Sequence, residues 1–141
     1  FVIVLNDDSR RVRLPNQNSG IITSPPYVGL IDYHEQHRYA YELLGLVDKS
    51  DFEIGAAARG ASQTAQKAYR SDIIAVFAHV AQSMKRGAPA VVVVHDKHSL
   101  YPDIARECGF KTENVIERHV NRRTGRRAGE FFEQIYIWRR E

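Results

Sequence analysis

Cysteine is almost absent from this chain, since Cys108 is the single one among 141 residues. One cysteine excludes a disulfide within the chain, and it also excludes a zinc site built from several cysteines. Because Cys108 stands between Glu107 and Gly109 at the predicted end of a helix, we expect it to be a structural thiol.

Long apolar runs are missing as well. The longest one is far too short to cross a membrane, and no charged leader stands before a long apolar segment. We therefore expect a cytoplasmic protein without a membrane partner. Hydrophobic residues make up 43% of the chain and charged residues 26%, values that favour a folded domain over a disordered chain. The length fits a single domain over residues 1–141, or part of a larger one.

The positive charge is modest in total but uneven along the chain. The formal net charge is +3, yet the stretch 118–140 contains only two acidic residues, Glu130 and Glu133. The arginines of the same stretch are Arg118, Arg122, Arg123, Arg126, Arg127, Arg139 and Arg140. Such a basic block favours a polyanionic partner, although a solvated basic loop would explain the charge alone equally well.

Short apolar runs alternate with helical patterns. The run 1–5 predicts a buried strand, and because a strand begins at the first residue, we expect that further residues precede Phe1. Other strands are predicted at 20–23, 90–94, 115–120 and 131–138, helices at 62–85 and 100–108, and a helix or helical hairpin at 32–46. The last two strands enclose a turn-rich basic loop, which predicts an antiparallel hairpin. The fold class is therefore α/β, with a mixed, mostly parallel sheet that is covered on both faces and ends in the hairpin.

A proline pair follows the second predicted strand, in the segment Thr23-Ser24-Pro25-Pro26-Tyr27. Ligands of open α/β sheets bind outside the carboxyl ends of strands. The two prolines predict a rigid turn that lacks two backbone donors and leaves its carbonyls free to accept hydrogen bonds. Such acceptors can orient an exocyclic amine, and a tyrosine offers a flat face on which an extruded base can stack. A proline-rich turn with an incidental tyrosine is the alternative that these residues leave open.

The run 21–33 resembles the catalytic motif of the DNA amino-methyltransferases, which is Ser/Asp/Asn-Pro-Pro-Tyr/Phe/Trp after an apolar strand. Members of this family transfer a methyl group from S-adenosylmethionine to cytosine N4 or adenine N6 in double-stranded DNA. The segment 6–10 is similar to the family's Gly-Asp-Ser/Ala-Arg segment, and 85–87 is similar to its Lys-Pro-Gly-Gly turn. The basic hairpin resembles the late motifs near the target-base pocket.

The resemblance implies part of a Rossmann-like methyltransferase fold, and direct methyl transfer to the amine of a flipped base without a covalent enzyme intermediate. Its implied catalytic residues are Ser24, Pro25, Pro26 and Tyr27, and it implies that Asp8 lies near the cofactor adenine. The residues expected to contact DNA are Asp32, Tyr33, Arg122, Arg123, Arg126 and Arg127. For Asp32 and Tyr33, ordinary roles at the start of a helix are the equal alternative. Serine at the first motif position favours cytosine N4 over adenine N6.

One family feature is missing from the sequence. Members bind the cofactor with a Phe-x-Gly-x-Gly segment, and Gly55 and Gly60 stand in a different context. If the family order with the cofactor motif first holds, we expect that motif upstream of Phe1. A homodimer, or a second chain that supplies the complementing cofactor-binding segment, is the other expectation. The rival functional hypothesis is a non-catalytic nucleic-acid-binding remnant.

Two groups of histidines are candidates for other chemistry. The segment 34–37 does not match His-Glu-x-x-His because its histidines are three residues apart, so we expect a solvated or DNA-facing helix and no metal site. His95, Asp96 and His98 follow a predicted strand, but no serine nucleophile motif accompanies them. We expect turn residues beside the pocket there.

Overall fold

The computed structural model describes residues 2–120 and 131–141. Its contacts divide the chain into two compact units. We call residues 1–25 with 73–141 the sheet unit, and residues 26–72 the helical unit. The expectation of a single domain over 1–141 stays a prediction, because two compact units can belong to one domain. Within the described ranges, no helix is long and apolar enough to span a bilayer.

The sheet unit is built on four strands, in the order β1-β2-β4-β3. They are β1 (Ile21–Thr23), β2 (Pro89–Val94), β3 (Phe110–His119) and β4 (Phe132–Arg140). β1 pairs with β2 in parallel, whereas β4 pairs antiparallel with both β2 and β3. The mixed α/β sheet and its terminal hairpin are thus confirmed. The parallel part is smaller than expected, since only one pairing among the described strands is parallel.

The core of the sheet unit lies on one face of the sheet. Ala90, Val92 and Val94 are fully buried, whereas Val91 and Val93 of the same strand are only half-buried. Side chains of a strand alternate between the two faces, so the described residues cover one face fully and the other in part. This corrects the expectation that the apolar run of β2 is buried on both faces.

An aromatic cluster fills that covered face. Phe77, from the later part of helix α3 (Gln63–Ser83), meets Trp138 of β4 with ring centroids 5.0 Å apart and planes inclined by 68°. Tyr101, at the start of helix α4 (Tyr101–Glu107), stacks on Tyr136 at 5.8 Å. Cys108, just after α4, is buried and contacts the carbonyl of Ile74 at 3.5 Å, as a structural thiol would.

Asp96 organises the connection from β2 to α4. Its Oδ1 accepts a hydrogen bond from the backbone N–H of Leu100 at 2.8 Å, and its Oδ2 accepts one from the N–H of Tyr101 at 3.0 Å. Oδ2 also accepts from the hydroxyl of Tyr136 at 2.8 Å. These bonds provide partners for the first N–H groups of the helix, which have none within it.

The helical unit contains short elements. Helices α1 (Tyr33–Gln36) and α2 (Arg38–Leu44) follow one another, and 3₁₀ turns occur at Ser50–Phe52 and Ala57–Arg59. The first part of α3, residues 63–72, completes this unit. The prediction of helix over 32–46 is therefore confirmed as two short helices, and that of a long helix over 62–85 is confirmed as α3.

The predicted strand at the beginning of the chain is wrong. Residues 2–5 form no strand, and Val2 and Val4 are 89% and 88% exposed. An apolar run becomes a strand only where a neighbouring strand satisfies its backbone groups. None of the described strands pairs with residues 2–5. The apolar pattern there indicates a propensity for strand, but the described part of this chain offers no strand that pairs with it.

Candidate active site

The segment Ser24–Tyr27, which we call the Pro-Pro turn after its predicted form, follows directly after β1 and has no regular secondary structure. It therefore begins at the carboxyl end of a strand that is parallel to its neighbour, as the sequence predicted. The turn itself begins just beyond the prolines, where the N–H of Leu30 donates to the carbonyl of Tyr27 at 3.3 Å. Ser24 is exposed and Pro25 is buried, whereas Pro26 and Tyr27 are half-buried. The chain passes from the sheet unit into the helical unit between Pro25 and Pro26. The two residues after that boundary are held by contacts inside the helical unit.

Helix α3 holds the second proline of the turn. The hydroxyl of Tyr69 donates a hydrogen bond to the carbonyl oxygen of Pro26, over an O···O distance of 2.8 Å. The Tyr69 side chain is buried, with 3% of the residue exposed. The sequence analysis did not single out Tyr69, because its place in the apolar pattern of α3 is that of an ordinary core residue. Its hydroxyl was the available signal, since a buried tyrosine hydroxyl needs a partner.

Residues just after the turn are fastened to the segment 55–60. The N–H of Gly29 donates to the carbonyl of Gly55 at 2.9 Å, and the N–H of Ala57 donates to the carbonyl of Ile31 at 3.0 Å. Gly29 has a φ of +63°, and a Cβ there would lie 2.6 Å from the carbonyl oxygen of Gly60. Only glycine fits this position, because both the backbone conformation and the close approach exclude a side chain.

Glu53, His34 and Tyr41 form a connected polar cluster in the helical unit. His34 Nδ1 lies 3.0 Å from Glu53 Oε2, and His34 Nε2 lies 3.1 Å from the Tyr41 hydroxyl. Glu53 Oε1 also accepts a hydrogen bond from the N–H of Tyr33 at 2.7 Å. Burial acts to raise the pKa of Glu53, but these donors outweigh burial and hold the pKa below its ordinary value.

The cluster changes the interpretation of segment 34–37. The expectation was a solvated or DNA-facing helix, but the side chain of His34 is only 19% exposed and is engaged on both ring nitrogens. His37 is exposed, in keeping with that expectation. The described residues contain no group of three or more His, Cys, Asp or Glu side chains that could hold a metal ion.

Asp32 and Tyr33 lie at the start of α1. Asp32 caps this helix, since its Oδ1 accepts from the N–H of Glu35 at 3.4 Å. Asp32 also lines a cleft of about 800 Å³ in the helical unit, together with His34 and Arg38. Tyr33 is 38% exposed, and burial followed by the charge of Glu53 raises the pKa of its hydroxyl. Both residues have helix-start roles, and their contact with a target base stays a prediction.

Asp8 is engaged by a neighbouring arginine. Arg10 Nη2 lies 2.8 Å from Asp8 Oδ2, and Arg10 Nε lies 2.9 Å from Asp8 Oδ1. The hydrogen bond from Arg10, which outweighs the opposing effect of burial, lowers the pKa of Asp8 to about 2. Asp8 is thus a carboxylate with both oxygens bonded inside the protein. Its expected place near a cofactor adenine stays a prediction.

Several arginines of the basic block serve the fold. Arg118 pairs with Glu133, and Arg139 Nη2 lies 2.8 Å from Glu113 Oε2. Arg140 donates to the carbonyl of Gly109 at 3.0 Å. These arginines therefore stabilise the hairpin and its surroundings. The arginines that were expected to contact DNA lie outside the described residues: Arg122, Arg123, Arg126 and Arg127.

His95 and Asp96, which follow β2, make structural contacts. His95 Nδ1 lies 2.7 Å from the carbonyl oxygen of Phe132, and Asp96 caps α4 through its bonds to Leu100 and Tyr101. A hydrolase arrangement was not expected there, and the observed contacts give Asp96 a structural role. Nothing described for His98 tests its expected position beside the pocket.

Comparisons with known proteins place these features in context. No protein-family model matches the chain. The chain is 36% identical over 151 residues to the type II methyltransferase M.MjaII of Methanocaldococcus jannaschii, a match that covers 96% of this chain and 28% of that protein. The matched part therefore includes the Pro-Pro turn and almost every element described above.

Solved structures of a candidate DNA modification methylase from Thermus thermophilus are similar in fold. The first has a TM-score of 0.57 at 20% identity and covers 95% of this chain and 52% of that one. The same protein complexed with S-adenosyl-L-methionine gives a TM-score of 0.58 at 20% identity, covering 94% and 53%. The likeness shows that the chain shares the fold of about half of these structures, in keeping with the expected α/β class. The chain spans about half the length of these structures and a smaller part of the curated relative.

Proposed function

We propose that the Pro-Pro turn is the reacting centre of an enzyme that methylates an exocyclic amino group in DNA, because the segment that this chain spans is similar to part of a type II methyltransferase. The observation that carries this proposal is the intact Ser24–Tyr27 sequence directly after a parallel strand. It stands in a chain that matches a type II methyltransferase over 96% of its own length. The substrate is double-stranded DNA, and the cytoplasm is the proposed location of the enzyme.

The residues of the turn have complementary roles in this proposal. Ser24 is exposed, so its hydroxyl oxygen can accept a hydrogen bond from the amine of a base that has been flipped out of the duplex. The carbonyl of Pro25 adds an acceptor in a backbone that proline makes rigid, whereas the carbonyl of Pro26 already accepts a hydrogen bond from Tyr69. Tyr27 provides the face for stacking. Much of the acceleration then comes from holding the amine in a fixed place and direction.

S-adenosylmethionine supplies the methyl group in the proposed reaction. The residues of this chain do not form a complete site for it. The sequence has no Phe-x-Gly-x-Gly segment, and both oxygens of Asp8 are already bonded to Arg10. We therefore propose that a further segment, from the same gene product or from a second copy or chain, completes the cofactor site, with Asp8 at its border.

Cytosine N4 is the proposed target atom, in preference to adenine N6, because the family resemblance favours N4 when serine opens the motif. A restriction-modification system is the proposed setting, since the matched relative is a type II methyltransferase. Asp32 and Tyr33 are the proposed contacts to the flipped base. The arginines proposed to contact phosphates are Arg122, Arg123, Arg126 and Arg127.

A second candidate function is binding of nucleic acid without catalysis. The missing glycine segment favours this candidate for the chain as it stands. The unaltered Ser24 and Tyr27 favour the enzyme, because a binding remnant has no need of a hydrogen-bond acceptor and a stacking ring at one turn. Methyl transfer separates the two candidates.

The test is transfer from radiolabelled S-adenosylmethionine to mixed-sequence DNA, followed by nucleoside analysis. It uses this chain and, in parallel, the full protein that its gene encodes. Ser24→Ala and Tyr27→Ala are compared with Ser99→Ala, an exposed serine outside the turn. Loss of one base-stacking ring is worth about 1–3 kcal/mol, so we expect Tyr27→Ala to slow transfer by roughly 5- to 150-fold.

The outcomes are distinct. Label in N4-methylcytosine that depends on Ser24 and Tyr27 supports the proposal, and label in N6-methyladenine corrects its target base. If the full protein transfers label and this chain does not, the result supports the proposal that this chain holds only part of the cofactor site. If neither protein transfers label while both bind DNA in a salt-sensitive way, the binding module replaces the enzyme.

A further inference from the structure

The hydrogen bond from Tyr69 to Pro26 joins two residues that are 43 positions apart in the sequence. Tyr69 lies in the first part of α3, and its side chain is buried inside the helical unit. The acceptor is the carbonyl of the second proline, which is the residue immediately before the proposed stacking ring of Tyr27. This bond therefore acts on the peptide unit that carries Tyr27.

Backbone geometry leaves this peptide unit free to rotate about ψ of Pro26. The pyrrolidine ring of Pro26 fixes its own φ. The peptide between Pro26 and Tyr27 is planar, so rotation about ψ of Pro26 swings the carbonyl and the N–H of Tyr27 together. A hydrogen bond that holds the Pro26 carbonyl consequently fixes the direction in which the chain enters Tyr27.

The donor itself is held in place by close packing. Gly55 has a φ of +72°, and a Cβ on it would lie 2.8 Å from Cδ2 of the Tyr69 ring. The ring therefore packs directly against glycine backbone. The carbonyl of the same Gly55 accepts the 2.9 Å hydrogen bond from Gly29, two residues beyond Tyr27. Gly55 therefore contacts both the Tyr69 ring and the segment that follows the Pro-Pro turn.

We propose that Tyr69 is a positioning residue, which sets the orientation of the Pro26–Tyr27 peptide and so aims the Tyr27 ring at the flipped base. The catalytic consequence rests on the proposed function, whereas the effect on the turn does not. The packing of Gly55 and the bond to Pro26 make two separate contacts on the same phenol ring. A Tyr69→Phe variant removes the bond and leaves the ring, so it isolates the positioning effect.

The experiment compares Tyr69→Phe with wild type and with Tyr39→Phe in the full protein. Tyr39 is 74% exposed on α2, so its loss of a hydroxyl is the matched control. Loss of one neutral hydrogen bond and the resulting misalignment should lower kcat on the order of 10-fold. The KM for S-adenosylmethionine should stay unchanged in both variants. A purely structural role would lower thermal stability without this separation of kcat from KM.

A second measurement does not depend on activity. Amide hydrogen exchange, followed by mass spectrometry, should be faster in Tyr69→Phe for the peptide that covers residues 27–31. The same peptide should be unchanged in Tyr39→Phe. Faster exchange supports the inference, and unchanged exchange overturns it.

The two measurements also separate the inference from the proposed function. If the wild type is active and Tyr69→Phe is equally active, the inference that Tyr69 aims the Tyr27 ring is overturned. A wild type that transfers no methyl group refutes the proposed function. In that case, the exchange of residues 27–31 still decides whether Tyr69 holds the turn.

Discussion

At the scale of single residues, three acidic side chains serve the beginnings of short helices. Asp32 and Glu53 accept hydrogen bonds from N–H groups of α1, and Asp96 does so for α4. The first N–H groups of a helix lack partners within it, and a negative charge suits that end. Asp32 directly precedes its helix and Asp96 stands a few residues before its own, whereas Glu53 reaches α1 from 20 residues further along the chain than Tyr33.

The side chain of Glu53 leads to a prediction about pH. Because its pKa is lowered in the folded protein, the carboxylate stabilises the fold above the ordinary pKa of 4.5, and this stability is lost as the pH falls further. We expect Glu53→Gln to lower the free energy of unfolding by about 1–2 kcal/mol at about pH 6, and by much less at about pH 3. Urea unfolding at both pH values measures the difference.

Glu42→Gln is the control for this comparison. Glu42 forms an exposed ion pair with Arg38 within α2, at an N···O distance of 2.9 Å. Exposed pairs of this kind contribute little to stability, so this variant should differ little from wild type. An effect of Glu53→Gln that stays the same at both pH values would contradict the role assigned to the ionised carboxylate.

At the scale of secondary-structure elements, the amphipathic pattern of α3 and the short apolar runs of β1 and β2 predicted the structure well, whereas the apolar run 1–5 did not. Helix α3 extends over Gln63–Ser83, close to its predicted bounds, because its apolar residues recur at helical spacing over many turns. The hairpin was also correct, although β3 begins at Phe110 instead of 115. The run 2–5 failed because a strand depends on a neighbour that periodicity does not reveal.

The start of α4 offers a test at this scale. Asp96→Ala removes the acceptor for Leu100 and Tyr101 and leaves the hydroxyl of Tyr136 without this partner. We expect a loss of about 1–3 kcal/mol in the free energy of unfolding, measured by urea denaturation.

The matched control for Asp96→Ala is Asp103→Ala, on the same helix. Asp103 makes an exposed pair with Arg106, at 2.6 Å, and its removal should change stability by less than about 1 kcal/mol. Equal effects of the two substitutions would show that Asp96 does not anchor the helix.

At the scale of the whole molecule, the chain contributes four described strands and matches 28% of the length of its curated relative. In the part that this chain spans, the apolar residues 2–5 are exposed. The short strand β1 lies at the edge of the described sheet. The proposed binding of DNA would be a property of the whole surface, because such binding depends on the number of phosphates that cationic side chains neutralise.

Salt dependence measures that number. We expect the combined substitution of Arg122, Arg123, Arg126 and Arg127 by alanine to reduce the slope of log affinity against log salt by about 3 to 4, since each phosphate contact contributes about 0.9. Fluorescence anisotropy with duplex DNA at several salt concentrations gives the slope. Arg106→Ala, an exposed arginine paired within α4, is the control and should leave the slope nearly unchanged. An unaltered slope in the fourfold variant would exclude these arginines from the interface.

The amino-acid sequence by itself determined the Pro-Pro turn after a short strand, the long helix, the hairpin and the family resemblance. Each of these depends on residues that are close together along the chain, so local periodicity and motif order are sufficient. Only the tertiary structure decided that Tyr69 holds Pro26 and that Glu53 holds α1 and His34. Those contacts join residues that folding brings together over long sequence separations. Their hydrogen bonds depend on burial and direction, which no linear pattern specifies.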